Sequence, residues 1–408
     1  MSTQYIGRQP ILDKEGKTFA YELFLNSENK DNRFFSVAIL VKVLNKFGAR
    51  KILGKHRAFL KVDNTFLLHD MIFNIPKNIF IFSLTENVKV TPLLIERLAL
   101  LRKKGYLLAI DNMKGSEGCL LKLHDILRYL TFCKIDVSEL ANIDEPFIEI
   151  LKKHKLRIIA DNVSEHSEHK AFEALGCDYF QGFFFAKPKI FETQSFNPRQ
   201  LSIINLTNLL MTECSIDELT SAFENNYEIS LQLLQFINSG AFHFKEKIAS
   251  LHHVLMLMGR TPLLQWLQLM IYAKSADKTI TTSPLMLMVK YRSELMMALI
   301  KVVDPDARSN TLGKAYFVGV LSLIDTLFSM PLETILEDLN ISDDVVVALT
   351  DHIGILGELY HFVLETEKFN TEAIADFAIK YNLGIHEMEA ILVETATKVN
   401  ELDEKLRG

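Results

Sequence analysis

AIDNMK (109–114), CKID (133–136), IIADNV (158–163) and DYFQGFFFAKP (178–188) follow one another through the middle of this chain. They contain expected strands at 132–135, 157–160 and 179–180, and the strand at 106–111 runs into the first of them. Upstream, 19–25, 58–62, 79–84 and 106–111 read the same way, and helical windows such as 37–47 and 92–104 lie between several of the runs. The second window carries apolar residues at three- and four-residue spacing and basic residues before Gly105. Strand and helix in alternation predict a parallel, barrel-like sheet. Chemistry in such barrels sits at the carboxyl ends of the strands, so a polar residue there carries more weight than one inside a helix.

The 408 residues suffice for more than one core, and 45 Lys plus Arg against 51 Asp plus Glu leave a net charge of -6. That balance gives no field-level case for nucleic acid. Cys119, Cys133, Cys177 and Cys214 have no CxxC or Cys/His spacing, so they read as reduced thiols rather than a zinc site or disulfide framework. The first residues lack a signal-peptide pattern and no apolar run approaches the length that spans a bilayer. A cytoplasmic protein that binds no membrane is expected.

At FETQSFNPRQ (191–200) polar turn formers and a proline break the pattern, and strand signals almost vanish afterwards. The expected domains are 1–195, a barrel, and 196–408, all α. In the latter LTNLLM, ISLQLLQFI, HHVLMLM, LLQWLQLMI, LMMALIKVV and YFVGVLSLIDTLF repeat apolar residues at helical period. Residues 371–406 predict two amphipathic helices split near 382–385.

The ordered set GRQPI (7–11), YELFLN (21–26), AFLKVD (58–63), SLTE (83–86), AIDN (109–112), CKID (133–136), IADNVS (159–164) and FQGFFFAKP resembles the EAL family of cyclic di-GMP phosphodiesterases. The resemblance implies a TIM-like (β/α) barrel that hydrolyses a phosphodiester between divalent metals held by carboxylates. It places Glu22, Asp111, Lys134 and Gln181 at matching functional positions. Elsewhere the pattern departs: Asn26 stands for a phosphate-anchoring arginine, Lys61 for an asparagine ligand, Ser83 for a glutamate ligand and Asn112 for a second aspartate. Asp161 replaces the general-base glutamate, and Ser164 a supporting glutamate.

Loss of carboxylates at Ser83 and Asn112, with an ammonium added at Lys61, makes the metal pocket more positive by roughly three units and disfavours divalent cations by several kcal/mol. Lys61 is expected between Glu22 and Asp111, standing in for the cation, because buried carboxylates need a partner. No metal or other cofactor is therefore expected, with magnesium or manganese required only if residual hydrolysis survives. Simpler roles are also open. Lys134 with Asp136 suits an internal salt bridge, and Phe183, Phe184 and Phe185 suit packing more than base stacking.

Residues 229–259, ISLQLLQFINSGAFHFKEKIASLHHVLMLMG, resemble the HDOD family, as do 315–332 and 341–350. That family is related to HD phosphohydrolases but lacks their metal-binding His-Asp pairs, and here Arg292 and Leu323–Asp325 stand at those positions. His252 and His253 point about 100° apart on a helix and cannot share a metal as an i, i+4 pair can. Asp351 and His352 suit a helix end, Asn238 and Ser239 a turn, and Met256, Met258, Met286, Met288, Met296 and Met297 core filling.

Together the resemblances imply an EAL barrel followed by an HDOD bundle, an arrangement found in bacterial regulators of motility, biofilm or virulence. The expected role is a catalytically inactive scaffold working through a protein partner at the HDOD half, with a homodimer through the barrel wall. A cyclic di-GMP receptor without turnover, and a residual phosphodiesterase using Glu22, Asp111, Lys134, Asp161 and Gln181, are the alternatives. Loss of a guanidinium at Asn26 weighs against ligand binding, since an amide cannot make the bidentate phosphate contact.

Overall fold

The computed structural model describes residues 6–25, 48–85, 87–186, 198–212, 214–226, 229–230, 232–233, 251–272, 283–328, 331–337 and 341–407. Contacts divide the chain into two compact units, 1–187 with 364–408, and 188–363. This differs from the expected boundary at 195/196, because the last 45 residues group with the barrel rather than with the other helices.

In the first unit eight strands close a barrel in chain order. They are β1 Ile6–Asp13, β2 Thr18–Leu25, β3 Arg57–Val62, β4 Phe80–Leu84, β5 Leu107–Ile110, β6 Phe132–Asp136, β7 Arg157–Asp161 and β8 Tyr179–Gln181. β1 runs antiparallel to both β2 and β8, a correction to the all-parallel expectation. Its sequence hides it, because Pro10 interrupts the run and proline cannot donate to a ladder. The structure tolerates Pro10 because β1 pairs with β8 only over Ile11, Leu12 and Asp13.

Helices α1 (Ala49–Leu53), α2 (Asn64–Leu68), α3 (Pro92–Lys103), α4 (Glu117–Leu127), α5 (Glu145–Lys153) and α6 (His166–Ala174) alternate with the strands. Local chemistry starts them. Thr91, Ser116 and Asp144 each accept a hydrogen bond from the backbone N–H three residues on, and a proline occupies the first turn of α3 and α5. The helical window at 37–47 lies outside the described residues.

Residues two apart on a strand share a face. Inside the barrel this stacks two layers. Ile11, Ala20, Phe59, Ile81, Ala109, Phe132 and Ile159 form a dry layer, joined by Tyr179. Two residues along each strand toward the mouth stand Gln9, Glu22, Lys61, Ser83, Asp111, Lys134, Asp161 and Gln181. Between strands and helices a second core includes Leu60, Phe82, Leu108, Ile135, Ile158 and Phe180. Phe184 joins it, stacked 4.4 Å from His169. The glycine of FQG is sterically required, since a Cβ at Gly182 would lie 2.0 Å from the Val163 carbonyl oxygen.

The other unit is helical in every described element: α7 (Pro198–Met211), α8 (Ile216–Glu224), α9 (Leu251–Met258), α10 (Arg260–Tyr272), α11 (Pro284–Val303), α12 (Ser309–Leu321), α13 (Ile324–Phe328), α14 (Leu332–Glu337) and α15 (Asp343–Thr350). The run 316–328, apolar at helical period, is interrupted at Ser322, whose hydroxyl donates to the Gly319 carbonyl at 2.8 Å. Asn238, Ser239 and most of 229–259 lie outside the described residues. His252 approaches Asp217 at 3.4 Å, while Asp351 accepts from the Thr350 hydroxyl at 2.6 Å. Met286 and Met296 are core, but Met256 is 59% exposed on the outer face of α9, contrary to its expected role.

After α16 (Gly354–Glu367) come α17 (Thr371–Lys380) and α18 (Ile385–Arg407), the split helices expected there. They close against the barrel unit. Arg8 donates to Asn400 Oδ1 at 2.6 Å, Asn400 donates to the Lys51 carbonyl at 2.8 Å, and His56 meets Asp403 at 3.0 Å. The Phe369 ring stacks on Phe24 at 4.2 Å and passes so close to Gly7 that a Cβ there would lie 1.9 Å from it.

Candidate functional site

The polar layer is the site. Glu22, Lys134 and Gln181 are buried to 1%, 0% and 1% exposure, yet all carry strong polar groups. Their burial is tolerated because they bind one another. Lys134 Nζ donates to Glu22 Oε2 and to Gln181 Oε1, both at 2.7 Å. The Gln181 amide in turn donates to Glu22 Oε2 and, at 2.9 Å, to Gln9 Oε1. Lys134 also lies 3.6 Å from Asp161 and 4.0 Å from Asp111, above the Phe59 ring of the dry layer.

Lys61 closes the other side. Its Nζ lies 2.8 Å from Asp111 Oδ2 and 3.6 Å from Glu22 Oε1. Neighbouring Ser83, its register partner on β4, is wholly buried. Glu22 Oε1 and Ser83 Oγ find no hydrogen-bond partner among the described residues, an arrangement that costs on the order of 1–3 kcal/mol per group. Above the layer opens a cleft of about 400 Å³, lined by Lys61, Asp111 and Asp161 and, nearer the rim, by Asn112, Asp136 and Asn162.

Asn112 and Asn162 follow the two strand-end aspartates with φ of 50° and 58°. Asparagine is among the few side chains that tolerate this left-handed region, so IDN and ADN each turn the chain sharply at the mouth. Asn162 donates to Asp136 Oδ2 at 2.5 Å, and Asp136 Oδ1 accepts from Ser138. The expected Lys134–Asp136 bridge is thereby corrected: Asp136 sits at the rim, while Lys134 is committed to Glu22 one layer below. Ser164 stays outside the cluster, its hydroxyl donating to the Asn162 carbonyl at 3.3 Å. Asn26 lies outside the described residues. Gln9, Thr85, Asn87, Asp136, Ser138 and Asn162 belong to the layer or its cleft without being singled out from sequence as site residues. Strand alternation through GRQPI was the available signal for Gln9.

The charges hold one another. Burial opposes the Glu22 charge, but Lys134, Lys61 and the Gln181 hydrogen bond outweigh it and keep the carboxyl below its usual range. Burial likewise opposes the ammonium of Lys134, while Glu22, Asp161 and Asp111 push its pKa up. Lys61 is also raised, by Glu22 and Asp111 against burial. Asp161 is pushed up by burial and by the Glu22 and Asp111 carboxylates, despite Lys134.

These directions set the pH response. The depressed Glu22 stabilises the fold above the unfolded carboxylate pKa, and that contribution is lost as pH falls through its folded value. The raised lysines stabilise fully below the unfolded lysine pKa and lose this only as pH rises through their folded values. Asp161 has the opposite sign to Glu22, because its ionisation costs stability that acidification relieves. Melting temperature scanned from about pH 8 to about pH 3 should therefore rise slightly as Asp161 gains its proton, then fall as Glu22 does. Asp161→Asn should remove the rise alone; a rise that persists in this variant refutes the assignment.

A divalent metal requires several hard oxygen ligands. Here the two carboxylates best placed for one, Glu22 and Asp111, share the Lys61 ammonium, and the described residues contain no group of three His, Cys, Asp or Glu able to hold a metal. The residues present do not fit the group that a phosphodiesterase of this kind would need.

Residues 62–188 match the EAL domain. The EAL match begins after β2 and one residue beyond Lys61, so Glu22 and Lys61 complete its polar layer from outside the matched stretch. Over its length the chain is 26% identical to a Bacillus subtilis protein named Uncharacterized protein YuxH, across 387 residues covering 91% of this chain and 92% of that one. It is also 22% identical to the Cyclic di-GMP phosphodiesterase CdgJ of Vibrio cholerae, across 406 residues covering 97% and 92%. Among solved structures, EAL enzyme Bd1971 in its cAMP and cyclic-di-GMP bound form aligns at 18% identity and TM-score 0.38, over 46% of this chain and 62% of that one. The EAL domain of Mycobacterium smegmatis DcpA aligns at 20% and 0.37, over 45% and 92%. No described helix is long and apolar enough to cross a membrane.

Proposed function

We propose that this chain is an EAL barrel that has exchanged metal-dependent hydrolysis for a signalling role exerted through protein contacts. The observation that carries this reading is the Lys61 ammonium, 2.8 Å from Asp111 and 3.6 Å from Glu22. An internal cation there neutralises the carboxylates that would draw a metal, and it competes with any divalent ion for the same oxygens. The partner-binding half in this proposal is the helical unit, taken as an HDOD bundle. Buried Arg292, which donates to the Ser322 carbonyl at 3.0 Å, supports a bundle without a metal pair at that position.

The similarity to a protein named as a cyclic di-GMP phosphodiesterase, over 97% of this chain, favours a second reading in which hydrolysis persists. Incubation of the purified chain with cyclic di-GMP and manganese, followed by chromatography for the linear dinucleotide, separates the two. No product is expected, and calorimetric titration with manganese should show no tight site. Turnover that disappears in Asp111→Asn would establish the enzyme instead. Calorimetry with cyclic di-GMP alone identifies a receptor that binds without hydrolysis.

A further inference from the structure

A concave surface in the helical unit has no part in the polar layer of the barrel. It is a cleft of about 490 Å³ between the end of α7 and helices α10, α11 and α12, within the range of roughly 300–1,000 Å³ typical of small-molecule sites. Its walls are mainly apolar, with Met211, Leu264, Met297, Leu312 and the Tyr316 ring, and Thr212, Thr261 and Gln265 add neutral polar groups. Tyr316 presents carbon to the cleft because its hydroxyl is bonded elsewhere, donating to Gln268, which donates onward to Ser293 at 3.0 Å. Methionines on two walls adapt to irregular chains better than branched residues do.

Charge at this cleft has one sign. Among the described lining residues Arg260 and Lys301 are the charged ones, in a chain of net charge -6. Arg260 is already committed, its guanidinium donating to the carbonyls of Leu210 and Thr212 at 2.8 Å each and to that of Cys214, which closes the end of α7. The ammonium of Lys301, exposed in the last turn of α11, makes no hydrogen bond or ion pair among the described residues. An apolar hollow with one uncommitted ammonium at its rim is complementary to a molecule that is apolar along its length and anionic at one end.

We propose that this cleft binds a medium-chain carboxylate, with the alkyl chain against the methionine and leucine walls and the carboxylate at Lys301. The full-length protein titrated calorimetrically with octanoate, decanoate and dodecanoate below their micellar concentrations should bind one equivalent of dodecanoate. Affinity should rise about fourfold per added methylene until the hollow is filled. Dodecyltrimethylammonium, of equal chain length and opposite charge, should bind at least about tenfold more weakly, and Lys301→Glu should weaken dodecanoate by about the same factor. Lys301→Arg should restore it. Because Lys301 is exposed, neither variant should change the melting temperature. Absence of dodecanoate binding, as expected if the cleft instead takes a partner helix, would overturn the proposal. Equal affinity for the cationic amphiphile, or binding unchanged in Lys301→Glu, would overturn it too.

Discussion

Lys134→Met should be the most damaging single change in the barrel. Methionine fills much of the same space, so the loss is electrostatic: Glu22, buried to 1% exposure, gives up the ammonium 2.7 Å away that allows it to remain charged. Gln181 loses its donor at the same time. Removing one partner of a buried pair costs about 3–5 kcal/mol, which for a domain of this size lowers the melting temperature by roughly 6–20 °C. Lys61 cannot compensate fully, because it is 3.6 Å from Glu22 and 42% of its side chain is open to solvent. The double variant Glu22→Gln with Lys134→Met removes the unpaired Glu22 charge and should recover part of the loss, Asp161 still lacking the ammonium 3.6 Å away. Calorimetric melts of both proteins check this. A double variant no more stable than Lys134→Met would show that the pair does not hold the layer together.

Deletion of residues 364–408 should prevent the barrel from folding in soluble form, although every strand remains. α18 buries Ile391, Leu392, Ala396 and Val399, and Val393 packs against the outer core of the barrel. Burial of each large apolar side chain contributes about 1.5–3 kcal/mol, so the segment accounts for a large share of a total stability of about 5–15 kcal/mol. Its removal also strips Arg8 and His56 of Asn400 and Asp403. The truncated chain is expected in the insoluble fraction, and co-expression of 364–408 as a separate peptide should return it to solution. A soluble, cooperatively melting 1–363 would refute the dependence. Asp403→Ala in the full chain should cost about 1–3 kcal/mol by orphaning His56.

How much of this was legible in the sequence varies by element. Strands β2 to β8 announce themselves as apolar runs, because a strand covered on both faces must be apolar along its length. β1 does not, since Pro10 reads as a break until the closed barrel shows which pairings it forgoes. Glu22, Asp111, Lys134 and Gln181 could be picked out by motif, and Lys61 by its departure from one. Lys134 with Asp136 misled, because residues two apart share a face but need not share a layer.

Sequence by itself determined the (β/α) repeat, the change to helix after the barrel, and the candidate acids at the strand ends. Those features depend on local periodicity and residue chemistry, which a linear string carries. Only the tertiary structure decided that Lys61 reaches both Glu22 and Asp111, that the buried Ser83 hydroxyl has no hydrogen-bond partner among the described residues, and that residues 364–408 join the barrel unit. These depend on side-chain reach across strands and on contacts nearly 400 positions apart, such as Arg8 with Asn400, and no spacing in the chain encodes such a distance.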